Sequence, residues 1–212
     1  MLKNPQDRRA KRTAVQIKEA MFSMMAANAI HEIKVSEICK LCQINRATFY
    51  DHYRDVFDLV QDMERDILLA LQELMNTVSS EEMEAGDVSR LFFYFLDKHR
   101  EALHLLITSE RSREFCTTLD AQLMPFFEKK IRQNYEIPEN MDVQLRCAME
   151  FVSSGYYRFW MNALTTGRMR INEEAETCAR LSDACLELLF RKKEKKTNIS
   201  SEFGAKPDIR SI

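Results

Sequence analysis

Helix breakers are rare in this chain, and their scarcity limits the folds it can adopt. Four glycines and four prolines occur in 212 residues. A sheet protein needs a turn every few residues, and turns depend largely on these two residue types. Long uninterrupted stretches carry apolar side chains at helical spacing. The sequence therefore predicts an all-α protein.

The apolar pattern predicts nine helices, and polar residues mark where several of them begin. Asn45 and Asp55 are predicted to cap the third and fourth helices, and Asn172 the last one. Residues 196–212 lose the pattern and are predicted to be a disordered tail. The predicted helices cover residues 8–28, 35–41, 46–53, 56–77, 88–98, 101–108, 111–133, 141–166 and 173–193.

The charge is distributed unevenly along the chain. Residues 1–54 carry 10 lysines and arginines against 5 acidic residues, whereas residues 55–190 carry 14 against 25. The overall charge of −2 hides this difference. A basic N-terminal module on an acidic body indicates an anionic partner for the small module alone.

The second and third predicted helices are separated by a short polar turn at residues 43–45. Three short helices with such a turn before the third are typical of a helix-turn-helix module. In that geometry the third helix enters the major groove of DNA with its N-terminal residues at the base edges. The same spacing also fits an ordinary helical hairpin with a polar outer face, and spacing alone does not separate the two.

The side chains of the third helix suit base recognition. Arg46 can offer a planar fork to guanine, and Ala47 can pack on a thymine methyl group. Phe49 is expected to face inward and anchor the helix. Three further side chains can donate or accept hydrogen bonds at bases or phosphates, namely Thr48, Tyr50 and His52.

The stretch "INRATFYDHYRDVFDLV" at residues 44–60, preceded by "HEIKVSEIC" at 31–39, closely resembles the TetR family of bacterial one-component repressors. The resemblance implies that residues 1–54 bind double-stranded operator DNA and that residues 55–195 bind an effector and form a homodimer. Gln43 replaces the usual turn glycine, so a non-glycine residue is expected in left-handed backbone there. The predicted DNA-facing set is Arg12, Lys34, Ser36, Asn45, Arg46, Ala47, Thr48, Tyr50, His52 and Tyr53.

The C-terminal half carries a more limited resemblance and a surplus of aromatic residues. "FVSSGYYRFWMNALTTG" at residues 151–167 is similar to the penultimate helix of a TetR branch that includes regulators linked to dihydroxyacetone kinase. In the family, helices four to eight enclose an effector pocket. A mainly apolar small molecule is therefore expected, with His104 as its polar handle; the alternative is that these aromatics fill the core. The predicted pocket residues are Phe92, Phe95, His104, Phe115, Phe127, Phe151 and Tyr156.

The last two long helices are expected to pair with those of a second copy. The family resemblance implies this pairing, and an apolar stripe on the final helix has no evident cover within one chain. The predicted interface residues are Trp160, Leu181, Cys185 and Leu188. An alternative regulator keeps the same DNA-binding dimer but is controlled by a protein partner on the acidic body.

Other chemistries have less support in the sequence. Cys39 and Cys42 could bind a metal, but no second pair follows at zinc-site spacing, and both positions match small alanines of the family that the chain resembles, where the second and third helices cross closely. His99 and His104 near Glu101 could act as ligands, or could be ordinary polar residues. No phosphate loop or HExxH motif is present, so an enzyme, a metal and a cofactor are not expected. No apolar run of membrane length or signal sequence occurs, which predicts a cytoplasmic protein without membrane contact.

Overall fold

A computed structural model describes residues 8–79, 85–166 and 171–193. Within these ranges the regular secondary structure is helical apart from one two-residue antiparallel pair, β1 (Tyr135–Glu136) with β2 (Arg191–Lys192), in which Tyr135 lies opposite Lys192. The all-α prediction is confirmed. The helices are α1 (Arg8–Met25), α2 (Val35–Cys42), α3 (Arg46–His52), α4 (Val56–Ser79), α5 (Ala85–Lys98), α6 (Arg100–Thr108), α7 (Ser112–Asn134), α8 (Asp142–Thr166) and α9 (Ile171–Leu189).

Two of the three predicted helix caps are confirmed. The Asn45 side-chain oxygen accepts a hydrogen bond from the backbone N–H of Thr48 at 2.7 Å. The Asp55 carboxylate accepts one from the backbone N–H of Asp58 at 2.8 Å. The cap predicted at Asn172 is wrong, because α9 already begins at Ile171. The tail predicted at 196–212 lies outside the described residues.

The chain divides into two compact units. Unit 1 comprises residues 1–76 and 99–122. Its core combines residues of α1 to α4 with α6 and the first half of α7, and Ile17, Met21, Ile38, Phe49 and Leu59 are essentially inaccessible to solvent in it. The compact unit thus reaches beyond residue 54, and the division of function at that residue stays a prediction.

Unit 2 comprises residues 77–98 and 123–212. Helices α5 and α9 pack against each other in it, and Gly86 lies beside the Asp183 side chain, whose carboxylate oxygen would be 2.6 Å from a Cβ at that position. Phe93 packs on Ala175 and Cys178 along the same contact. A second cluster joins α7, α8 and α9 through Ile131, Tyr135, Leu145, Ala148, Leu186 and Phe190. Among the helices described, none is both long and apolar enough to cross a membrane.

Candidate DNA interface and ligand cavity

The turn between α2 and α3 depends on one left-handed residue. Gln43 has φ 56° and ψ 40°, which confirms that a non-glycine residue takes this conformation. Its backbone N–H donates to the carbonyl groups of Cys39 and Lys40, and the N–H of Ile44 donates to the carbonyl of Cys39. These bonds end α2 sharply, so α3 starts in a new direction after only three intervening residues.

Helix α3 turns one face to the core and the other to solvent. Phe49 is completely buried, as predicted, while Tyr50 is 56% exposed beside it. Arg46 and Ala47 are exposed in the first turn, and Thr48 and His52 are half-buried. The hydroxyl of Thr48 donates to the Asn45 side chain at 2.9 Å. The arrangement therefore presents Arg46, Ala47 and Tyr50 outward from a braced helix.

Tyr53 does not belong to the exposed face, and its prediction as a DNA contact is corrected. Its side chain is 6% exposed and lies against the ring of Phe49. Its hydroxyl donates to the Asp62 carboxylate of α4 at 3.1 Å. Burial, followed by the charge of Asp62, raises the pKa of Tyr53, so the hydroxyl stays protonated as a donor. Since α3 ends at His52, the next residue turns back onto α4.

The Asp62 carboxylate connects three helices of unit 1. Lys18 of α1 approaches it to 2.7 Å, and Arg65 of α4 also donates to it. Burial opposes ionisation of this carboxyl, but the hydrogen bonds from Lys18 and Arg65 outweigh it and lower the pKa of Asp62. With Tyr53 as the third donor, α1, α3 and α4 are tied to one charged group.

His52 lies at the end of α3 with one ring nitrogen withdrawn from solvent. The Nδ1 atom has no hydrogen-bond partner among the described residues. Burial lowers the pKa of His52, although the neighbouring Asp51 opposes this shift. The ring is consequently favoured in its neutral form, in which the exposed part can still donate or accept a hydrogen bond.

The remaining predicted DNA contacts lie on α1 and at the start of α2. Arg12 and Lys34 are exposed, and Ser36 is half-buried. The backbone N–H of Lys34 donates to Glu37 at 3.3 Å, so the side chain of Lys34 is not needed for the helix cap. Contacts between these residues and phosphates stay a prediction.

The two cysteines of α2 serve packing in this structure. Cys42 donates from its thiol to the backbone carbonyl of Gln16 on α1 at 3.3 Å. Cys39 is 5% exposed, and its sulfur lies 3.9 Å from the carbonyl of Asn45. Burial raises the pKa of both thiols, which favours neutral groups rather than the thiolate that binds metals.

A cavity in unit 2 is bounded by α5, α7, α8 and α9. It offers about 50 Å³ accessible to a water-sized molecule. Its walls are mainly apolar, with a few hydroxyl groups and one lysine. The lining residues are Val88, Ser89, Met124, Phe127, Lys130, Ile131, Ala148, Met149, Val152, Ser153, Tyr156, Ser182 and Leu186.

The seven predicted pocket residues are only partly brought together. Phe127 and Tyr156 line the cavity. Phe92 packs on Phe127, with ring centroids 5.8 Å apart, and on the buried Phe95 behind it. His104 and Phe115 belong to unit 1 and are not among the residues that line this cavity. His104 is half-buried there, and its Nδ1 atom has no partner among the described residues.

The prediction that Phe151 lines the pocket is wrong. Its side chain is 76% exposed. Phe151 precedes Tyr156 by five residues, which corresponds to about 140° around an α-helix. Because Tyr156 points into the cavity, Phe151 lies on a different face of α8.

The predicted pocket residues did not include Lys130 and Ser182, which form part of the polar wall of the cavity. The Tyr156 hydroxyl donates to the carbonyl of Cys178 at 3.0 Å and is hydrogen-bonded to Ser182. Lys130 is 2% exposed, and its ammonium donates to the carbonyl of Val78 at 2.7 Å. A signal for Lys130 did exist: it lies three residues after Phe127 and seven after Leu123, in the register of an apolar stripe.

The final helix carries an exposed apolar stripe. Leu181 is 64% and Leu188 is 84% exposed, and their spacing of seven residues places them on one side of α9. Cys185 lies between them, half-buried against the second core cluster. The prediction that Trp160 lies in the dimer interface is wrong, because its side chain is 3% exposed within its own chain and offers no surface to a second copy.

Comparison with solved structures shows the fold. A TetR-like transcriptional regulator from Rhodococcus sp. RHA1 is 15% identical, with a TM-score of 0.64 over 82% of this chain and 96% of that one. The dihydroxyacetone kinase operon activator DhaS is 16% identical, with a TM-score of 0.55 over 84% and 98% of the chains. FadR from Bacillus subtilis, in complex with stearoyl-CoA, is 19% identical, with a TM-score of 0.52 over 82% and 96%. No family model and no curated protein sequence matches.

Proposed function

We propose that this chain, which has the fold of TetR-like transcriptional regulators, is a dimeric repressor that releases its operator DNA on binding a small, mainly apolar effector. One observation carries the proposal: α3 is capped by Asn45, anchored by the buried Phe49, and presents Arg46, Ala47 and Tyr50 to solvent. A short, braced helix with exposed N-terminal side chains is the form that enters a major groove.

Charge supports DNA as the partner of this surface. The first 54 residues carry twice as many cations as anions. Arg46 at the first position of α3 suits bidentate contact with guanine, whereas Arg12 and Lys34 suit phosphates that fix the position of the protein. Phosphate contacts of this kind weaken steeply with salt.

The exposed stripe of α9 supports a dimer. A C2 interface uses the same patch on both copies, and Leu181 and Leu188 supply an apolar patch of this kind. Two copies would present two α3 helices to half-sites that are related by the same two-fold axis. We therefore expect a palindromic operator with half-sites about one helical turn apart.

The cavity supports control by a small molecule. Its walls combine apolar side chains with a few convergent polar groups, as ligand sites commonly do. The FadR neighbour has the same fold and binds stearoyl-CoA in its structure. Preferential binding to the DNA-incompetent arrangement would weaken DNA affinity by a coupling free energy of roughly 1–3 kcal/mol, and DNA would weaken effector binding equally.

The size of the cavity favours a second candidate, in which a protein partner controls the same DNA-binding dimer. A volume of about 50 Å³ is small for an effector of drug size. Residues 55–190 carry more acidic than basic side chains, and this excess of negative charge suits a basic partner. A library of small molecules distinguishes the two candidates, since a bound effector raises the melting temperature by mass action. Stabilisation by none of them would favour the protein partner.

Selection from a pool of random DNA duplexes tests the DNA-binding function itself. Repeated capture on the purified chain should enrich an inverted repeat, and capture on an Arg46→Ala variant should enrich a more degenerate one. Enrichment of no sequence over the input pool would contradict the proposed function. A matched control is Arg113→Ala, which removes an exposed arginine from α7 and should enrich the wild-type repeat.

A further inference from the structure

The polar residues that line the cavity of unit 2 already make their hydrogen bonds within the protein. Lys130 donates from Nζ to the carbonyl of Val78 at 2.7 Å and takes part in a further interaction. The hydroxyl of Ser153 donates to the carbonyl of Glu150 at 3.2 Å. These are two of the five polar lining residues, which are Ser89, Lys130, Ser153, Tyr156 and Ser182.

The other three polar residues form one connected group. The hydroxyls of Tyr156 and Ser182 each lie within hydrogen-bond distance of the carbonyl of Cys178, at 3.0 Å and 2.9 Å, and they are bonded to each other. Ser89 is bonded to the same Tyr156 hydroxyl. A hydrogen-bond acceptor on a ligand would therefore compete with acceptors that the protein itself supplies.

The surface that remains open to the cavity is almost entirely apolar. Met124, Phe127 and Val152 are among the side chains that supply it. A water needs about 10–15 Å³ of such volume, so 50 Å³ corresponds to a ligand of fewer than about ten heavy atoms if the walls do not move. Apolar cavities of this kind stay free of water and take up small apolar molecules.

We infer that the effector is a small neutral molecule of hydrocarbon character, which binds this cavity without a hydrogen bond to its wall. This inference rests on the proposed function, because it defines the chemical class of the same effector. A charged or hydrogen-bonding group on the ligand would lose its hydration on entry. It would then either stay unpaired or break a bond inside the protein, and both carry a cost in affinity.

Cyclopentane and tetrahydrofuran test the inference with the full chain, because they are rings of one size that differ by an ether oxygen in place of one methylene group. NMR of the labelled methionine methyl groups reports binding at the cavity, since Met124 and Met149 line it. Cyclopentane should shift these two signals and leave that of Met21, which is buried in unit 1, unchanged. We expect it to bind at least about tenfold more tightly than tetrahydrofuran, whose oxygen would be buried without a donor. Binding of tetrahydrofuran within tenfold of cyclopentane, or no shift of the two signals with cyclopentane, would overturn the inference.

Variants of α8 assign the binding to the cavity. Val152→Phe should fill the cavity and abolish the binding of cyclopentane, because Val152 lines it. Val143→Phe is the matched control, since it places the same ring at a valine of α8 that is 58% exposed, and it should keep the binding. If Val152→Phe does not fold, Val152→Ala enlarges the cavity and should bind cyclohexane more tightly than the wild type does. Binding kept in a folded Val152→Phe, binding lost in Val143→Phe, or no gain for cyclohexane in Val152→Ala would each overturn it.

The outcome separates this inference from the proposed function. A chain that selects an inverted repeat but does not bind cyclopentane at the cavity leaves the DNA-binding function intact and removes the hydrocarbon-like effector. A chain that binds cyclopentane there but selects no DNA sequence keeps the binding site and removes the regulator.

Discussion

The hydroxyl of Tyr53 donates to the carboxylate of Asp62 across 3.1 Å, which joins the end of α3 to the second turn of α4. Lys18 of α1 approaches the same carboxylate to 2.7 Å. The orientation of α3 is thus fixed by α4 and α1 at its C-terminal end, and by the Gln43 turn and the Asn45 cap at its N-terminal end.

Removal of the Tyr53 hydroxyl should destabilise unit 1 without emptying its core. Tyr53→Phe keeps the ring against Phe49 but removes the donor to Asp62, and we expect a loss of about 1 kcal/mol in the free energy of unfolding. Urea denaturation measures it. Tyr50→Phe is the control. Because the Tyr50 side chain is 56% exposed, this variant should have the free energy of unfolding of the wild type. An equal loss in both variants would contradict the role of the Tyr53–Asp62 bond.

The Asn45 cap allows stability and DNA binding to be separated. Asn45→Ala should cost about 1 kcal/mol in the free energy of unfolding because the N–H of Thr48 loses its acceptor. Asn45→Asp should keep the cap but add a negative charge beside the DNA-facing residues. We expect near wild-type stability with weakened DNA binding for Asn45→Asp. Undiminished DNA affinity in this variant would place the DNA elsewhere.

Much of this fold could be predicted from the sequence because its helices are long, amphipathic and marked by caps. The turn at Gln43 and the inward position of Phe49 also follow from local pattern. The direction of Tyr53 does not, because it depends on Asp62, which becomes its neighbour only when α3 folds back on α4. Membership of the cavity likewise depends on tertiary packing, which places His104 in one unit and Tyr156 in the other.

Mild acidification should lower the free energy of unfolding, because His52 is protonated more readily in the unfolded chain. Burial lowers the pKa of His52 in the folded state, so the unfolded chain binds the proton more readily. The stability that the neutral His52 ring contributes is fully present above its unfolded-state pKa of 6.5. It decreases as the pH falls through 6.5 toward the lower pKa of the folded state. Between about pH 7.5 and pH 5.5 the wild type should lose more stability than His52→Gln. Identical pH profiles in thermal denaturation would show that His52 does not contribute.

Charge on the exposed stripe of α9 should separate the copies. Leu181→Glu combined with Leu188→Glu should yield monomers by light scattering, because carboxylates replace the apolar contact between two copies. Operator binding should weaken with it. Leu69→Glu places the same charge at a leucine of α4 that is 51% exposed and should leave the mass unchanged. An unchanged mass in the α9 double variant would locate the interface elsewhere.

The affinity of wild type and Arg46→Ala for the selected operator and its single-base variants tests the central claim most directly. We expect Arg46→Ala to lose roughly 1–3 kcal/mol on the operator and to become indifferent to one base pair in each half-site. Arg113→Ala should show neither change. Lys34→Ala should lower the affinity for all duplexes alike and reduce the slope of log affinity against log salt concentration by about one. A uniform loss across every duplex for Arg46→Ala, with base preference intact, would contradict recognition through α3.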